Sequence, residues 1–306
     1  MGGRGPVTTV THVPAGAERT APPRRGVRSW AWIGLIPFLA YVVLFLALPT
    51  VLALASGLFT RDGSFTLDNL AALGDPVILG TFWNSTWLSL LTAVAGAVAG
   101  ALVCYAMLGL SDTGVVRTAV DAAAGVFAQF GGVMLAFAFI ATIGLQGVVT
   151  RLLAGIGIDL FADGPWIYEL PGLILPYIFF QIPLMVITFM PALTALKPQW
   201  AEANLTLGGT RGTFWTRIGI PVLAPSFLAC TLLLFANAFS SYATAAALAS
   251  QGSQIVPLQI RTALTSETVL GRENLAGALA LGMIVVVGVV MALYSLIERR
   301  AARWRG

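Results

Sequence analysis

The sequence predicts an all-α membrane protein with six transmembrane helices. Of its 306 residues, 58% are hydrophobic and 10% are charged, whereas a soluble domain carries about 25% charged residues. The mean hydropathy is +0.87, and several apolar blocks exceed the roughly 20 residues that a helix needs to cross a bilayer. This composition excludes a soluble enzyme and a nucleic-acid-binding domain.

Each apolar block is predicted to be a helix, because backbone groups in lipid must be hydrogen-bonded within the segment and no block shows the alternating pattern of a barrel strand. The blocks span approximately 30–58, 82–110, 119–149, 170–196, 218–250 and 275–297. The fifth helix is predicted to end at Ser250 or several residues before it. Residues 1–28 are predicted to be a disordered tail, 29–298 a six-helix membrane domain, and 299–306 a basic tail.

The basic residues predict that both termini lie in the cytoplasm. With that orientation, 13 of the 17 Lys and Arg residues fall in the inside segments. Lys and Arg bias of this kind orients membrane proteins. A multi-pass membrane protein with cytoplasmic termini is therefore expected, and the basic pI of 9.4 is no sign of a nucleic-acid partner.

The predicted spans lack groups for chemistry of their own. No Asp, Glu, Lys, Arg or His lies in the middle of a span, which disfavours a proton-coupled carrier or an intramembrane enzyme. A P-loop requires GxxxxGK[ST], and the single lysine, Lys197, precedes Pro198. We expect no enzymatic activity, no metal site and no cofactor in this chain, so any ATP must be hydrolysed by another polypeptide.

The loop 197–217, between the fourth and fifth spans, is predicted to contain a short amphipathic helix. Pro198 suits the first turn of a helix, and Gly208 and Gly209 are expected to end it. A second short helix around 213–218 then leads into the next span. One apolar stripe lies at i, i+3 and i+7 and consists of Trp200, Ala203 and Leu207. Such a helix fits the groove of a partner protein, or lies in the lipid interface.

The same loop resembles a family motif. Glu202-Ala203, Gly208, Ile218 and Pro221 resemble the EAA motif of permease subunits of bacterial ABC importers. Asn204 departs from the usual Ala, and Ile220 from the common Leu. The resemblance implies a coupling helix that docks in a cleft of the ATPase subunit. The residues implied in this contact are Trp200, Glu202, Ala203, Leu207, Gly208, Gly209, Thr210 and Arg211, although Arg211 could also merely face solvent.

The resemblance extends over most of the chain. The run from Thr206 to Gly209, and the run from Val256 to Arg261, resemble the spermidine/putrescine-type branch of this family. The resemblance implies a type I importer with a second permease subunit, expected to be a different chain. It also implies two ATPase subunits carrying Mg-ATP, and an extracytoplasmic solute-binding protein. The implied solute is polyamine-like or phosphonate-like.

Polar residues inside the spans are candidates for the translocation pathway. They are Asn84, Gln129, Gln146, Gln181, Asn237, Ser240, Ser241 and Tyr242. Each of them could instead form an interhelical hydrogen bond, as polar residues in membrane bundles often do. The cluster from Asn237 to Tyr242 is the strongest candidate, because several polar groups lie close together there.

Two alternatives of function stay open at this point. A permease of a sugar or phosphodiester ABC importer would share every feature above. A stand-alone secondary transporter or channel would need no ATPase, but it leaves the motif in the loop 197–217 unexplained.

Overall fold

The computed structural model describes residues 2, 31–60, 62–111, 113–249, 255–265 and 274–303. The predicted tail 1–28 lies outside these ranges except for Gly2. The described residues form helices, with one isolated antiparallel bridge between Phe59 and Phe65. The chain divides into two compact units, residues 1–50 and residues 51–306.

The helices follow the order of the apolar blocks. Their bounds are α1 Ala31–Val42, α2 Leu48–Ser56, α3 Asp68–Ala71, α4 Pro76–Met107, α5 Val115–Gln129, α6 Gly132–Ile143, α7 Val148–Gly155, α8 Ile174–Thr194, α9 Pro198–Thr206, α10 Arg211–Phe214, α11 Ile220–Phe239, α12 Ala243–Leu248, α13 Val256–Thr265 and α14 Leu275–Arg303. Single π-helical turns, Val43–Ala47 and Trp215–Gly219, join α1 to α2 and α10 to α11.

Among the residues that the structure describes, six helical stretches are long and apolar enough to cross a membrane, which confirms the predicted all-α fold with six spans. They are Leu35–Ser56, Pro76–Met107, Gly132–Gly155, Leu170–Thr194, Arg211–Phe239 and Leu275–Leu296. The chain is therefore a multi-pass membrane protein. Its last helix continues to Arg303, past the predicted domain boundary at 298.

The third block was predicted wrongly as one helix over 119–149. The structure divides it into α5 and α6, with a break at Phe130 and Gly131. Gly132 adopts a positive φ of 70°, a left-handed conformation that glycine reaches at little cost. Hydropathy alone did not reveal the break, because the residues around it are apolar or small apart from Gln129. The fifth helix ends at Phe239, as the sequence allowed.

The second unit is built around α4 and α8, which pack along most of their lengths. Gly96 and Gly100 of α4 face Gln181 and Met185 of α8 so closely that a Cβ atom on either glycine would overlap the opposite side chain. Small residues allow this close backbone approach between membrane helices, where dispersion contacts replace the hydrophobic effect. Gly96 and Gly100 therefore have a packing role in the contact between α4 and α8.

Candidate functional site

Helix α9 in the loop 197–217 forms as the sequence predicts. It begins with Pro198 in the first turn, after Lys197, and it ends at Thr206. Gly208 then has a φ of 77°, and a Cβ atom there would meet nothing within 4 Å. The positive φ therefore favours glycine at position 208, and the space beside Gly208 is open.

Asn204 fastens this glycine turn to α9. Its side chain is 9% exposed, and its Nδ2 donates a hydrogen bond of 3.0 Å to the carbonyl oxygen of Thr210. The backbone N–H of Gly209 donates to the carbonyl oxygen of Asn204 at 2.8 Å. A Cβ atom on Gly209 would overlap the Asn204 amide. The departure from the EAA pattern therefore has a local structural role.

Beyond the turn, the chain enters the next membrane helix without interruption. Thr210 is the N-cap of α10, because its Oγ1 accepts a hydrogen bond of 3.2 Å from the N–H of Thr213. The π-helical turn Trp215–Gly219 then joins α10 to α11. A displacement of α9 would consequently act directly on a helix of the membrane domain.

The predicted apolar stripe of α9 points away from the rest of this chain. Trp200 is 38% exposed and Leu207 is 87% exposed, and Ala203 and Glu202 are exposed as well. The buried side of the helix is the side of Asn204. Trp200 on the helix, together with Leu207 directly after its last residue, provides an exposed apolar surface that a partner could cover.

The structure brings two helix breaks together inside the membrane domain. The first lies between α5 and α6, and the second, Ser240–Tyr242, lies between α11 and α12. The N–H of Gly132, at the start of α6, donates a hydrogen bond of 3.0 Å to Oγ1 of Thr244 in α12. Thr244 is fully buried, so this bond ties the two breaks together.

A second buried side chain stabilises the break after α11. The hydroxyl of Tyr177, in α8, donates a hydrogen bond of 2.9 Å to the carbonyl oxygen of Ser241. Tyr177 has no exposed surface. Non-helical backbone at membrane depth is tolerated only where its polar groups find partners or line a cavity. Tyr177 and Thr244 supply such partners.

Five of the candidate pathway residues flank these breaks. Gln129 precedes the first break, and the other four surround the second: Asn237, Ser240, Ser241 and Tyr242. Gln129, Asn237, Ser240 and Tyr242 are exposed, and Ser241 is half-buried. The structure therefore joins residues that lie more than 100 positions apart into one polar region.

Three other candidates lie elsewhere. Gln181 is fully buried between α4 and α8, where its Nε2 donates to Oγ1 of Thr92 at 2.9 Å. This is the interhelical hydrogen bond that the sequence left open as an alternative. Asn84 is half-buried on α4. Gln146 accepts a hydrogen bond of 2.8 Å from Arg151, outside the region of the breaks.

Sequence reasoning missed Tyr177, Thr244 and the role of Asn204. A tyrosine hydroxyl in the fourth apolar block was a usable signal, since a buried Tyr O–H usually has a hydrogen-bond partner. Thr244 follows the polar cluster by only two positions, but threonine in a membrane helix normally bonds within its own helix. Asn204 was visible as a departure from the motif without an assigned role.

Comparison with known proteins confirms the predicted resemblance. No family model matches the chain. It is 26% identical over 266 residues to the probable ABC transporter permease protein y4fN of Sinorhizobium fredii, covering 86% of this chain but only 45% of that protein. It is 21% identical over 262 residues to the spermidine/putrescine transport system permease protein PotB of Haemophilus influenzae, with 83% and 89% covered.

Solved structures support the fold. A bacterial ABC transporter involved in the import of the acidic polysaccharide alginate matches with a TM-score of 0.69 at 18% identity. The match covers 88% of this chain and 95% of that one. The chain therefore has the fold of an ABC importer permease.

Proposed function

We propose that this chain is the permease subunit of an ATP-binding-cassette importer. Together with a second permease subunit it forms the translocation pathway for a small solute. An extracytoplasmic binding protein delivers the solute, and two partner ATPase subunits supply the energy. The observation that carries the proposal is helix α9, which has an exposed apolar stripe and leads through a glycine turn into a membrane helix.

In this proposal, α9 is the coupling helix. The stripe of Trp200, Ala203 and Leu207 is the surface that the ATPase groove covers. Glu202, Gly208, Gly209, Thr210 and Arg211 border that contact. Because Asn204 fastens the glycine turn and Thr210 caps the following helix, a rigid displacement of α9 on ATP binding is passed on to α11. A pathway with two conformations, whose populations are shifted by ATP binding to the ATPase subunits, is the physical basis of this transport proposal.

The polar region at the two helix breaks is proposed as part of the pathway. Gln129, Asn237, Ser240, Ser241 and Tyr242 provide amide and hydroxyl groups without formal charge. Broken membrane helices recur at transporter binding sites, since unwound backbone offers polar groups at that depth. Asn84 remains a candidate of the same kind, whereas the contacts of Gln181 favour a structural role.

The orientation follows from charge. The 13 basic residues of the inside segments include those around α9 and at the C terminus, which supports cytoplasmic termini and an inner-membrane location. The ATPase subunits, with their Mg-ATP, then lie on the same side as α9. The binding protein lies on the opposite side, near α13.

A polyamine-like or phosphonate-like solute is the proposed substrate class. The likeness to the permease named for spermidine and putrescine supports it. The fold match to an alginate importer favours the alternative, a sugar or phosphodiester importer. A pathway without formal charges suits a cation or a zwitterion, because it offers no opposite charge that would hold such a solute in place.

The experiment uses Gly208→Val in the assembled complex reconstituted in proteoliposomes. The variant forces a branched residue into a φ of 77°, so α9 should lose its position while the chain still inserts. Stimulation of the ATPase by the loaded binding protein should fall severalfold, and Gly155→Val is the control. Full stimulation in Gly208→Val would remove the coupling assignment. Uphill transport by the purified chain alone would favour the stand-alone transporter and overturn the whole proposal.

A further inference from the structure

Two adjoining cavities near the end of α4 have contrasting linings. One, of about 300 Å³, is lined by apolar and aromatic side chains of α4, α8 and α11, among them Ala101, Leu223 and Ala224. The other, of about 690 Å³, opens towards α9 and includes Arg211. Tyr105 and Trp215 line both cavities. Together the cavities form a groove with one apolar end and one charged end.

The pair of aromatic rings between the cavities is well defined. The centroids of Tyr105 and Trp215 lie 5.2 Å apart, with the rings nearly perpendicular. The ring of Trp215 lies against Gly219, where a Cβ atom would come within 2.6 Å of it. The π-helical turn Trp215–Gly219 and its buried glycine therefore set the position of the ring that joins the two halves of the groove.

The groove lies where lipid headgroups meet hydrocarbon. The helical run Arg211–Phe239 has 29 residues, which is about 43 Å at 1.5 Å per residue. This length exceeds the roughly 30 Å of hydrocarbon. Arg211 and Arg217 lie near the beginning of the run, so the first turns are the part that reaches the headgroup region. Tyr and Trp are enriched at that level. The apolar cavity then extends into the hydrocarbon, and the cavity with Arg211 faces the headgroups.

Arg211 determines the charge of the outer end. Its side chain is exposed, and among the described residues no carboxylate forms an ion pair with it. The end of α4, which lines the same cavity, carries about half a negative charge from its helix dipole. The full charge of Arg211 exceeds it, and a guanidinium matches the geometry of a phosphate group.

We propose that this groove binds one anionic phospholipid of the adjacent leaflet. Its phosphate lies beside Arg211, and one acyl chain enters the apolar cavity past Tyr105 and Trp215. Charge complementarity at one end and the apolar lining at the other select this occupant over a helix of a second subunit. The lipid proposal takes the alternative in which Arg211 lies outside the ATPase contact. It rests on the membrane position of the groove, so it can fail while the coupling role of Trp200, Glu202 and Gly208 stands, and the reverse.

The test uses the full chain in nanodiscs and follows quenching of Trp215 by lipids with brominated acyl chains. The signal of Trp215 is the fluorescence difference between each variant and its Trp215→Phe counterpart. Brominated phosphatidylglycerol in a phosphatidylcholine background is compared with brominated phosphatidylcholine in a phosphatidylglycerol background. Arg211→Gln removes the charge, and Ala224→Phe fills the apolar cavity. Arg217→Gln and Ala229→Phe are matched controls, because both residues are exposed on the same helical run but line neither cavity.

We expect Trp215 to be quenched preferentially by brominated phosphatidylglycerol. Arg211→Gln should lower that preference about fivefold, which corresponds to the usual attraction between one basic residue and an anionic surface. Ala224→Phe should abolish the quenching, and both controls should behave as the wild type. Equal quenching by both lipids, or an unchanged preference in Arg211→Gln, would overturn the anionic ligand. No quenching of Trp215 by either lipid would mean that no acyl chain reaches the groove, and it would overturn the site.

Discussion

The hydroxyl oxygen of Tyr177 lies 2.9 Å from the carbonyl oxygen of Ser241 and donates a hydrogen bond to it. The bond joins the first turn of α8 to the break between α11 and α12. A carbonyl at the break lacks the N–H partner that it would have in a continuous helix, so leaving it unpaired is costly. Tyr177 is therefore placed to hold the broken helix in one geometry.

Replacing Tyr177 with Phe should destabilise the break. The carbonyl of Ser241 loses its buried donor, which costs about 1–3 kcal/mol. Thermal unfolding in detergent should show the loss, and solute uptake should fall in proteoliposomes that contain the partners. The control is Tyr294→Phe, which removes a similar bond of 3.1 Å to the carbonyl of Pro225, away from the breaks. An equal loss of uptake in both variants would contradict a special role for Tyr177.

The two glycines of the first break should respond differently to alanine. Gly132 has a φ of 70° and lies next to Ala243, whereas Gly131 has a negative φ and open space around it. Gly132→Ala should cost about 1–2 kcal/mol of unfolding free energy, and Gly131→Ala should be close to neutral. Chemical denaturation of both variants measures the difference. Similar values would mean that the backbone at Gly132 is not held in the left-handed region.

The contact between Gly209 and Asn204 makes a double-mutant cycle informative. Gly209→Ala alone should reduce ATPase stimulation in the assembled complex, because the new methyl group overlaps the Asn204 amide. Asn204→Ala alone should reduce it less, through loss of the bond to Thr210. The double variant should recover part of the loss, since the smaller side chain leaves room for the methyl group. Strictly additive effects would show that the two residues do not constrain each other.

Gln181 and Asn237 test the difference between packing and pathway. Gln181→Leu should change stability by only about 1 kcal/mol, because the amide oxygen of Gln181 has no hydrogen-bond partner among the described residues and an apolar replacement removes that cost. The solute selectivity of an importer that carries Gln181→Leu should stay unchanged. Asn237→Leu, at an exposed position beside the break, should lower the uptake rate with little effect on stability. If Gln181→Leu lowered the uptake rate while Asn237→Leu lowered only stability, Gln181 would be the pathway residue and Asn237 the packing residue.

The sequence predicted the helical class, six spans and the glycine turn after α9 from local patterns. Length and hydropathy decide whether a segment can cross a bilayer, and Pro198 and Gly208 act on the backbone around them. These features need no knowledge of distant residues, and the structure agrees with them. The single helix predicted over 119–149 failed because a break between apolar residues leaves no trace in hydropathy.

Only the tertiary structure decided which polar residues share a site. The bonds from Gly132 to Thr244 and from Tyr177 to Ser241 join positions 112 and 64 residues apart. It also placed Gln181 between α4 and α8, away from the breaks, and it joined Arg211 to an apolar groove through Tyr105 and Trp215. One-dimensional hydropathy reports how each segment partitions into lipid, whereas the side on which a polar group finds its partner depends on how the helices pack.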